Sequence, residues 1–133
     1  MSQNFNVPAA DVFAILADHN QLKRVFGIPV KRIKDGDKDP NGVGSVRRLG
    51  PPPFGIQETV TAVEANKRID YIITKFGGPV MNHNGSQTFS EKGSGSELHW
   101  QINFSSLPGL GNAVAKGLET ALKRGLKNLS YQL

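Results

Sequence analysis

The chain has no cysteine, which excludes disulfides and thiol chemistry and agrees with a reducing compartment. No apolar run approaches the roughly 20 residues of a transmembrane helix. The first residues, Met1-Ser2-Gln3-Asn4, lack the basic and apolar parts of a signal peptide. We therefore expect a cytoplasmic protein with no transmembrane segment.

Motifs for calcium and nucleotide binding are also missing. The acidic turn at 35–39 resembles the start of a calcium loop, but Pro40 replaces the required glycine and Val46 the bidentate glutamate. Gly42-Val43-Gly44 lacks the rest of a dinucleotide-binding fingerprint. No glycine-rich loop ends in Lys-Ser or Lys-Thr, as a phosphate-binding loop would. A charged hairpin turn is the better interpretation of this segment.

No metal or covalent chemistry is indicated. His19, His83 and His99 fall in three different predicted elements, so we expect no metal site. No serine stands at a recognisable spacing from a base, as nucleophilic catalysis would require. The sequence therefore predicts no cofactor.

The net charge of +5 raises the question of nucleic-acid binding. The basic residues occur in scattered pairs without interleaved aromatic and glycine residues, at Lys23-Arg24, Lys31-Arg32, Arg47-Arg48, Lys67-Arg68 and Lys123-Arg124. This pattern favours a solvated basic surface over specific nucleic-acid recognition. Weak attraction to acidic partners or anionic membranes stays open.

The 133 residues predict one domain spanning 1–133. A short strand around Phe5 and Val7 ends at Pro8, and helical patterns follow at 9–18 and 21–26. Alternating patterns then predict strands at 30–34, 44–49, 56–64, 68–76, 80–91 and 97–106. The connections are short enough to require antiparallel neighbours, and a long helix follows at 110–129. The fold class is therefore α+β, with the last helix across one sheet face.

The last helix carries an apolar stripe formed by Leu110, Val114, Leu118, Leu122 and Leu129. Its charged residues should face water, namely Lys116, Glu119, Lys123 and Lys127. A second row holds small residues at four-residue spacing, Ala113, Gly117, Ala121 and Gly125. Because a glycine costs a helix about 1 kcal/mol relative to alanine, this row predicts either close packing on the sheet or room for a ligand.

Alternation also places polar side chains inside the sheet. In 97–106 the inward set is Leu98, Trp100, Ile102 and Phe104, which leaves His99 outside. In 80–91 the inward set is Met81, His83, Gly85, Gln87 and Phe89, and in 56–64 it is Ile56, Glu58, Val60 and Ala62. Buried polar groups need partners or water, so we expect a partly polar cavity under the helix. The alternative is a local bulge that returns Glu58 or His83 to solvent.

The element order and three short motifs resemble the START-like (SRPBCC) helix-grip superfamily. The motifs are Val-Pro-Ala-Ala-Asp-Val-Phe at 7–13, Gly-Val-Gly-Ser-Val-Arg at 42–47 and Leu-His-Trp at 98–100. The resemblance implies a curved antiparallel sheet wrapped around a long C-terminal helix, with two short helices after the first strand. Polyketide cyclases and dehydratases, lipid-transfer domains and plant hormone-binding proteins share this fold.

Within that superfamily the chain is similar to the abscisic acid receptors. Their Gly-Leu-Pro-Ala gate, with a glutamate six residues past its proline, resembles Gly50-Pro51-Pro52-Pro53 and Glu58. Their Gly-Gly turn before Asn-Tyr resembles Gly77-Gly78 and Asn82-His83, so His83 would replace a pocket tyrosine. The lysine that holds the hormone's carboxylate has no counterpart near Phe26-Gly27, so binding of that hormone is not implied. The resemblance predicts a gate loop at Pro51, Pro52, Pro53 and Phe54.

We expect a small hydrophobic ligand, such as a lipid, polyketide or aromatic metabolite, between sheet and helix. The expected ligand contacts are Glu58, Tyr71, Met81, His83, Gln87, Phe89, Trp100, Phe104, Leu118 and Leu122. One alternative is a polyketide cyclase or dehydratase with His83 and Glu58 as base and acid. Another is a protein-interaction module that uses the basic surface at Lys123, Arg124 and Lys127. We expect a monomer or a weak homodimer.

Overall fold

The computed structural model of the protein describes residues 1–51, 55–75, 80–106 and 111–133, with only the backbone at 80–82, 105, 106, 111, 112, 114 and 115. The described strands are β1 Ser2–Phe5, β2 Val30–Lys34, β3 Val46–Leu49, β4 Ile56–Glu64, β5 Arg68–Lys75, β6 Val80–Lys92 and β7 Gly95–Ser106. The helices are α1 Ala9–Ala17, α2 Lys23–Phe26 and α3 Gly111–Gln132, with a 3₁₀ turn at His19–Gln21 between α1 and α2.

All seven strands belong to one antiparallel sheet in the order β1-β7-β6-β5-β4-β3-β2. Each strand from β2 to β7 pairs with its sequence neighbour, as the short connections predicted. The N-terminal strand β1 pairs with β7 and forms one edge of the sheet, and β2 forms the other edge. The α+β helix-grip prediction is confirmed.

The first strand differs from its prediction. It covers Ser2–Phe5 rather than the Phe5 and Val7 region. In its pairing with β7, Ser2 lies opposite His99 and Phe5 lies opposite Ser96. Val7 lies past the strand end, where its carbonyl accepts a hydrogen bond from Ser96 Oγ at 2.8 Å. The chain then turns through Pro8 into α1.

The alternation of β7 is confirmed. Leu98 and Trp100 are each 1% exposed, whereas His99 and Gln101 face solvent. In β6 the described inward side chains, His83, Gln87 and Phe89, are buried, and so is the backbone at Gly85. In β4 Glu58 and Val60 are buried. No bulge returns the two predicted polar residues to solvent.

Helix α3 crosses the sheet with its leucines inward. Leu122 and Leu129 are buried, Leu118 is half-buried, and the predicted charged residues are exposed. Leu126, which the predicted stripe omitted, is 1% exposed. Leu110 and the side chain of Val114 lie outside the described residues.

The row of small residues on α3 does not form one surface toward the sheet. Gly125 is buried, and a Cβ there would overlap the carbonyl oxygen of Val25. This glycine therefore permits close packing, but against α2 rather than the sheet. Gly117 is exposed and a Cβ there would meet no atom within 4 Å. Neither glycine therefore leaves room for a ligand under the helix, which was the alternative prediction for this row.

Candidate ligand-binding cavity

A cavity of about 260 Å³ lies between the first half of α3, the end of α2 and the concave sheet. Its described lining is mainly apolar and comprises Phe26, Ile28, Leu49, Ile56, Glu58, Tyr71, Ile73, His83, Ile102, Leu118, Ala121 and Leu122. Ile28 is 44% exposed. A concave, largely apolar space with a few convergent polar groups is the usual form of a small-molecule site.

Three neighbouring strands supply the polar side chains of this wall. Glu58 comes from β4, Tyr71 from β5 and His83 from β6, and all three are buried. In the sheet Tyr71 lies opposite Val60 on one side and Gly85 on the other. Adjacent strands with matching inward parity therefore bring an acid, a phenol and an imidazole together.

Gly85 makes room for the phenol. A Cβ at this position would overlap the Tyr71 ring, so the ring lies across the bare backbone of β6. The Tyr71 hydroxyl oxygen accepts a hydrogen bond from Trp100 Nε1 at 3.0 Å. Burial, followed by the nearby Glu58 charge, raises the pKa of Tyr71 well above its usual range, so this residue stays a neutral phenol.

Glu58 forms a buried ion pair with Arg47. Arg47 Nε lies 2.8 Å from Glu58 Oε1, and the two side chains are 1% and 7% exposed. The guanidinium carbon also stands 4.7 Å from the centre of the Tyr71 ring, a cation–π arrangement. Arg47 therefore contacts both polar residues from beside the cavity, because it is not among the residues that line the cavity.

The solvated basic surface was a wrong prediction for Arg47. In β3 the burial alternates, and Arg47 shares the inward face with Leu49. The missed signal was this parity: an inward Leu49 places Arg47 inward as well. Pairing with Glu58 permits that burial, since an isolated guanidinium could not be buried at reasonable cost.

A chain of hydrogen bonds extends from Arg47 to the turn after β2. Ser45 Oγ donates to the carbonyl of Gly42 at 2.6 Å, so its oxygen accepts from His19 Nε2 at 2.8 Å. The other ring nitrogen of His19 then faces Arg47 Nη1 at 3.5 Å as an acceptor. Burial, with the charges of Arg47 and Arg32, lowers the pKa of His19 to about 3. His19 is thus a neutral link that the sequence did not reveal, since it lies in the irregular break between helices.

His83 is the polar wall residue with least support. Its ring tilts against Tyr71 with centroids 5.7 Å apart and stacks on Phe104 at 6.4 Å. Burial lowers the pKa of His83, against an opposing effect of Glu58, so its imidazole is neutral near pH 7. Among the described residues, Nδ1 of His83 has no hydrogen-bond partner. A neutral imidazole with an unused nitrogen can bind a ligand's polar atom or accept its proton.

The structure divides the ten predicted ligand contacts. Five of them line the cavity: Glu58, Tyr71, His83, Leu118 and Leu122. Trp100 and Phe104 instead line a neighbouring, more open hollow of about 350 Å³, which Leu118 also contacts.

Of the other three predicted contacts, Gln87 and Phe89 are not part of the described lining. Gln87 is fully buried between Ile69 and Trp100, and among the described residues its amide has no partner. Phe89 packs edge-on against Phe13 with centroids 5.4 Å apart. Both follow the correct inward parity but lie too far along β6, on the α1 side of the core. The Met81 side chain lies outside the described residues.

Of the predicted gate, Pro51 is exposed and Pro52, Pro53 and Phe54 fall outside the described residues. Among the described residues, seven line the cavity although the sequence analysis did not assign them to it, namely Phe26, Ile28, Leu49, Ile56, Ile73, Ile102 and Ala121. Alternation had already turned Ile56 and Ile102 inward. Phe26 and Ile28 had no such signal, because they flank the left-handed turn at Gly27, where φ is 70°.

Within the described part of the chain, no three histidine, aspartate or glutamate side chains converge as metal ligands would. In the same part of the chain, no helix has the length and apolar character needed to cross a membrane.

Comparison with known proteins supports the fold and the family. The family described as polyketide cyclase / dehydrase and lipid transport matches residues 1–133. A search of curated proteins found no match.

Solved structures with low sequence identity share the architecture. The protein XoxI from Bacillus cereus is 19% identical, with a TM-score of 0.79, over 99% of this chain and 92% of that one. Ara h 8.0201 is 12% identical, with a TM-score of 0.72, over 100% and 96%. The Aha1 protein from Colwellia psychrerythraea, solved as a dimer, is 13% identical, with a TM-score of 0.74, over 98% and 92%.

Identities this low establish the fold alone, and the family match covers the whole sequence. The chain belongs to the polyketide cyclase / dehydrase and lipid transport family of the START-like helix-grip superfamily.

Proposed function

We propose that this protein binds a small, largely apolar molecule in the cavity beneath α3, with the polar end of the molecule at Glu58 and His83. The observation that carries the proposal is a largely apolar wall that contains the buried Nδ1 of His83, an atom without a hydrogen-bond partner among the described residues. Since an unmade buried hydrogen bond costs about 1–3 kcal/mol, a ligand or ordered water that satisfies it is stabilised there.

The volume limits the size of the molecule. An apolar cavity of about 150 Å³ is enough for benzene. Scaling from benzene, the 260 Å³ of this cavity corresponds to about ten non-hydrogen atoms. One fused pair of rings or a short branched chain fits that volume, whereas a full-length fatty acyl chain does not.

The remaining wall supports an apolar ligand body. Ile56, Ile73, Ile102, Leu118 and Leu122 surround the polar end from three strands and the helix. Each buried CH₂ group of a ligand gains about 0.8 kcal/mol from leaving water. A ten-atom molecule therefore gains about 8 kcal/mol from apolar burial before the costs of association. Micromolar affinity, also about 8 kcal/mol, lies within the ceiling of roughly 1.5 kcal/mol per non-hydrogen atom for very small ligands.

A library of one- and two-ring aromatic and terpenoid compounds, screened by ligand-observed NMR, tests the proposal. Leu118→Trp would fill the cavity from the helix side, and Thr120→Trp places the same ring on the exposed side of α3 as a control. We expect compounds that bind the wild type and Thr120→Trp at micromolar concentration and lose at least tenfold in affinity for Leu118→Trp. Equal binding to both variants, or no binding at all, would contradict the proposal.

A further inference from the structure

The two charged residues next to the cavity, Glu58 and Arg47, differ in whether a ligand can contact them. Glu58 lines the cavity, whereas its partner Arg47 does not line it and is 1% exposed. Oε1 of Glu58 is already bound to Arg47. Among the described residues, no donor reaches the second oxygen of this carboxylate. The ligand therefore meets the acid of the ion pair and not the base.

No other described cavity residue supplies a positive charge. The remaining ionisable groups of the lining are Tyr71 and His83, and burial keeps the phenol protonated and the imidazole neutral. Glu58 is thus the one charged side chain among the described lining residues. A second carboxylate in this space would face the like charge of Glu58 in a medium of low dielectric. Arg47 has a buried Nη2 without a described hydrogen-bond partner, but it is not part of the described lining and cannot pair directly with a ligand there.

From this arrangement we propose that the cavity selects neutral ligands carrying a hydroxyl or a similar hydrogen-bond donor, and discriminates against carboxylates of the same shape. The inference rests on the proposed function and specifies its ligand class. The donor binds the second oxygen of Glu58, and an adjacent ring or chain lies along the isoleucine and leucine wall. The exclusion of Arg47 from the lining, rather than the overall positive charge of the protein, determines this selectivity.

Three probes of one shape measure the selectivity. At pH 7, 2-naphthol is neutral and a donor, naphthalene has no polar group, and 2-naphthoate is a carboxylate. Their dissociation constants for the wild-type chain are compared by competition NMR or calorimetry. A hydrogen bond to a charged acceptor should make naphthol bind about 10- to 100-fold more tightly than naphthoate, and more tightly than naphthalene.

The three probes separate the two proposals. Binding of naphthol and naphthalene with weak naphthoate binding supports the inference. Naphthoate binding as tightly as naphthol, or more tightly, overturns the selectivity and leaves the ligand-binding function standing. Failure of all three probes to bind overturns the proposed function at this size, and the inference with it.

A single substitution should reverse the preference. Glu58→Gln removes the carboxylate and leaves Arg47 as a buried cation without its partner, so naphthoate should gain at least tenfold relative to naphthol. Glu64→Gln, at the exposed end of the same strand, is the matched control and should retain the wild-type order of affinities. An unchanged preference for naphthol in a folded Glu58→Gln chain would overturn the role assigned to Glu58. If that variant does not fold, the wild-type comparison of the three probes decides.

Discussion

The two halves of α3 meet very different surroundings. Around Leu126 and Leu129 the inward side of the helix is fully buried, and Gly125 brings its backbone against α2. Around Leu118 and Leu122, one or two turns earlier, the same helix covers a cavity walled by Glu58 and His83. One amphipathic stripe thus covers both a packed half and a hollow half of the interior.

The difference comes from what faces the helix, and not from the helix itself. In the packed half α2 closes the space, because a bare glycine lets two backbones approach. In the hollow half the facing strands carry polar side chains that are held away from the helix by their own partners, such as Arg47 for Glu58. A helix sequence alone therefore says little about where a cavity lies.

The largest expected effect comes from breaking the ion pair between Arg47 and Glu58 in the hollow half. Arg47→Met removes a buried cation and leaves Glu58 as an unpaired buried charge. Breaking such a pair destabilises a protein by about 3–5 kcal/mol. We expect a loss of this size in the free energy of unfolding, measured with urea.

The double variant Arg47→Met/Glu58→Met is the control for that measurement. With both charges replaced by apolar groups of similar length, much of the lost stability should return, because no unpaired charge remains. A double variant that is less stable than Arg47→Met alone would show that the pair does more than neutralise itself.

The packed half is tested by its glycine. Gly125→Ala places a methyl group against the Val25 carbonyl, which belongs to the backbone and cannot rotate away. Such overpacking costs about 1–3 kcal/mol. Gly117→Ala is the matched control on the same helix, where the added methyl meets no atom and should stabilise the protein by up to about 1 kcal/mol. Changes of the same sign in both variants would refute the contrast between the two glycines.

The last test concerns the change in the free energy of unfolding per pH unit. The pKa of His19 is about 3 when folded and about 6.5 when unfolded, so the unfolded chain binds the extra proton. Stability should therefore fall as the pH drops below 6.5, by up to about 1.4 kcal/mol per pH unit from this residue. His83, whose pKa is lowered as well, changes stability in the same direction.

Urea unfolding at pH 7.5 and pH 5 isolates the contribution of His19. His19→Gln should be less stable than the wild type at pH 7.5 but should lose less stability on acidification. The same substitution at the exposed His99 serves as the control. A wild type and a His19→Gln variant with equal pH dependence would mean that His19 is not held neutral by its surroundings.

Short-range pattern accounted for most of the sheet. Strict alternation in β7 and β6 placed Leu98, Trp100, His83 and Gln87 inward without any knowledge of the fold, because the two faces of a half-buried strand differ in solvent. The same reasoning placed Glu58 correctly in β4. The pattern failed for Arg47, where an adjacent pair of arginines was taken as solvated although Leu49 shares its face.

Long-range contacts explain the residues that the pattern missed. His19 is buried because Ser45 and Arg47, which are 26 and 28 residues away, accept and donate to its ring. Gln87 and Phe89 point inward as expected, yet the position along the strand, which alternation does not define, takes them out of the cavity. The cavity is formed by residues of five strands and two helices together.

Local sequence was sufficient for the order of the elements, the inward faces of three strands and the amphipathic side of α3, since each depends on neighbours a few residues apart. The family follows from the full-length match and agrees with that order. The tertiary structure decided three other features, because each depends on segments that are distant in the chain. These are the inward residues that line one cavity, the pairing of Arg47 with Glu58, and the contact that Gly125 permits with α2. Burial and pairing of that kind result from packing between distant segments. They leave no periodic pattern in the sequence from which they could be predicted.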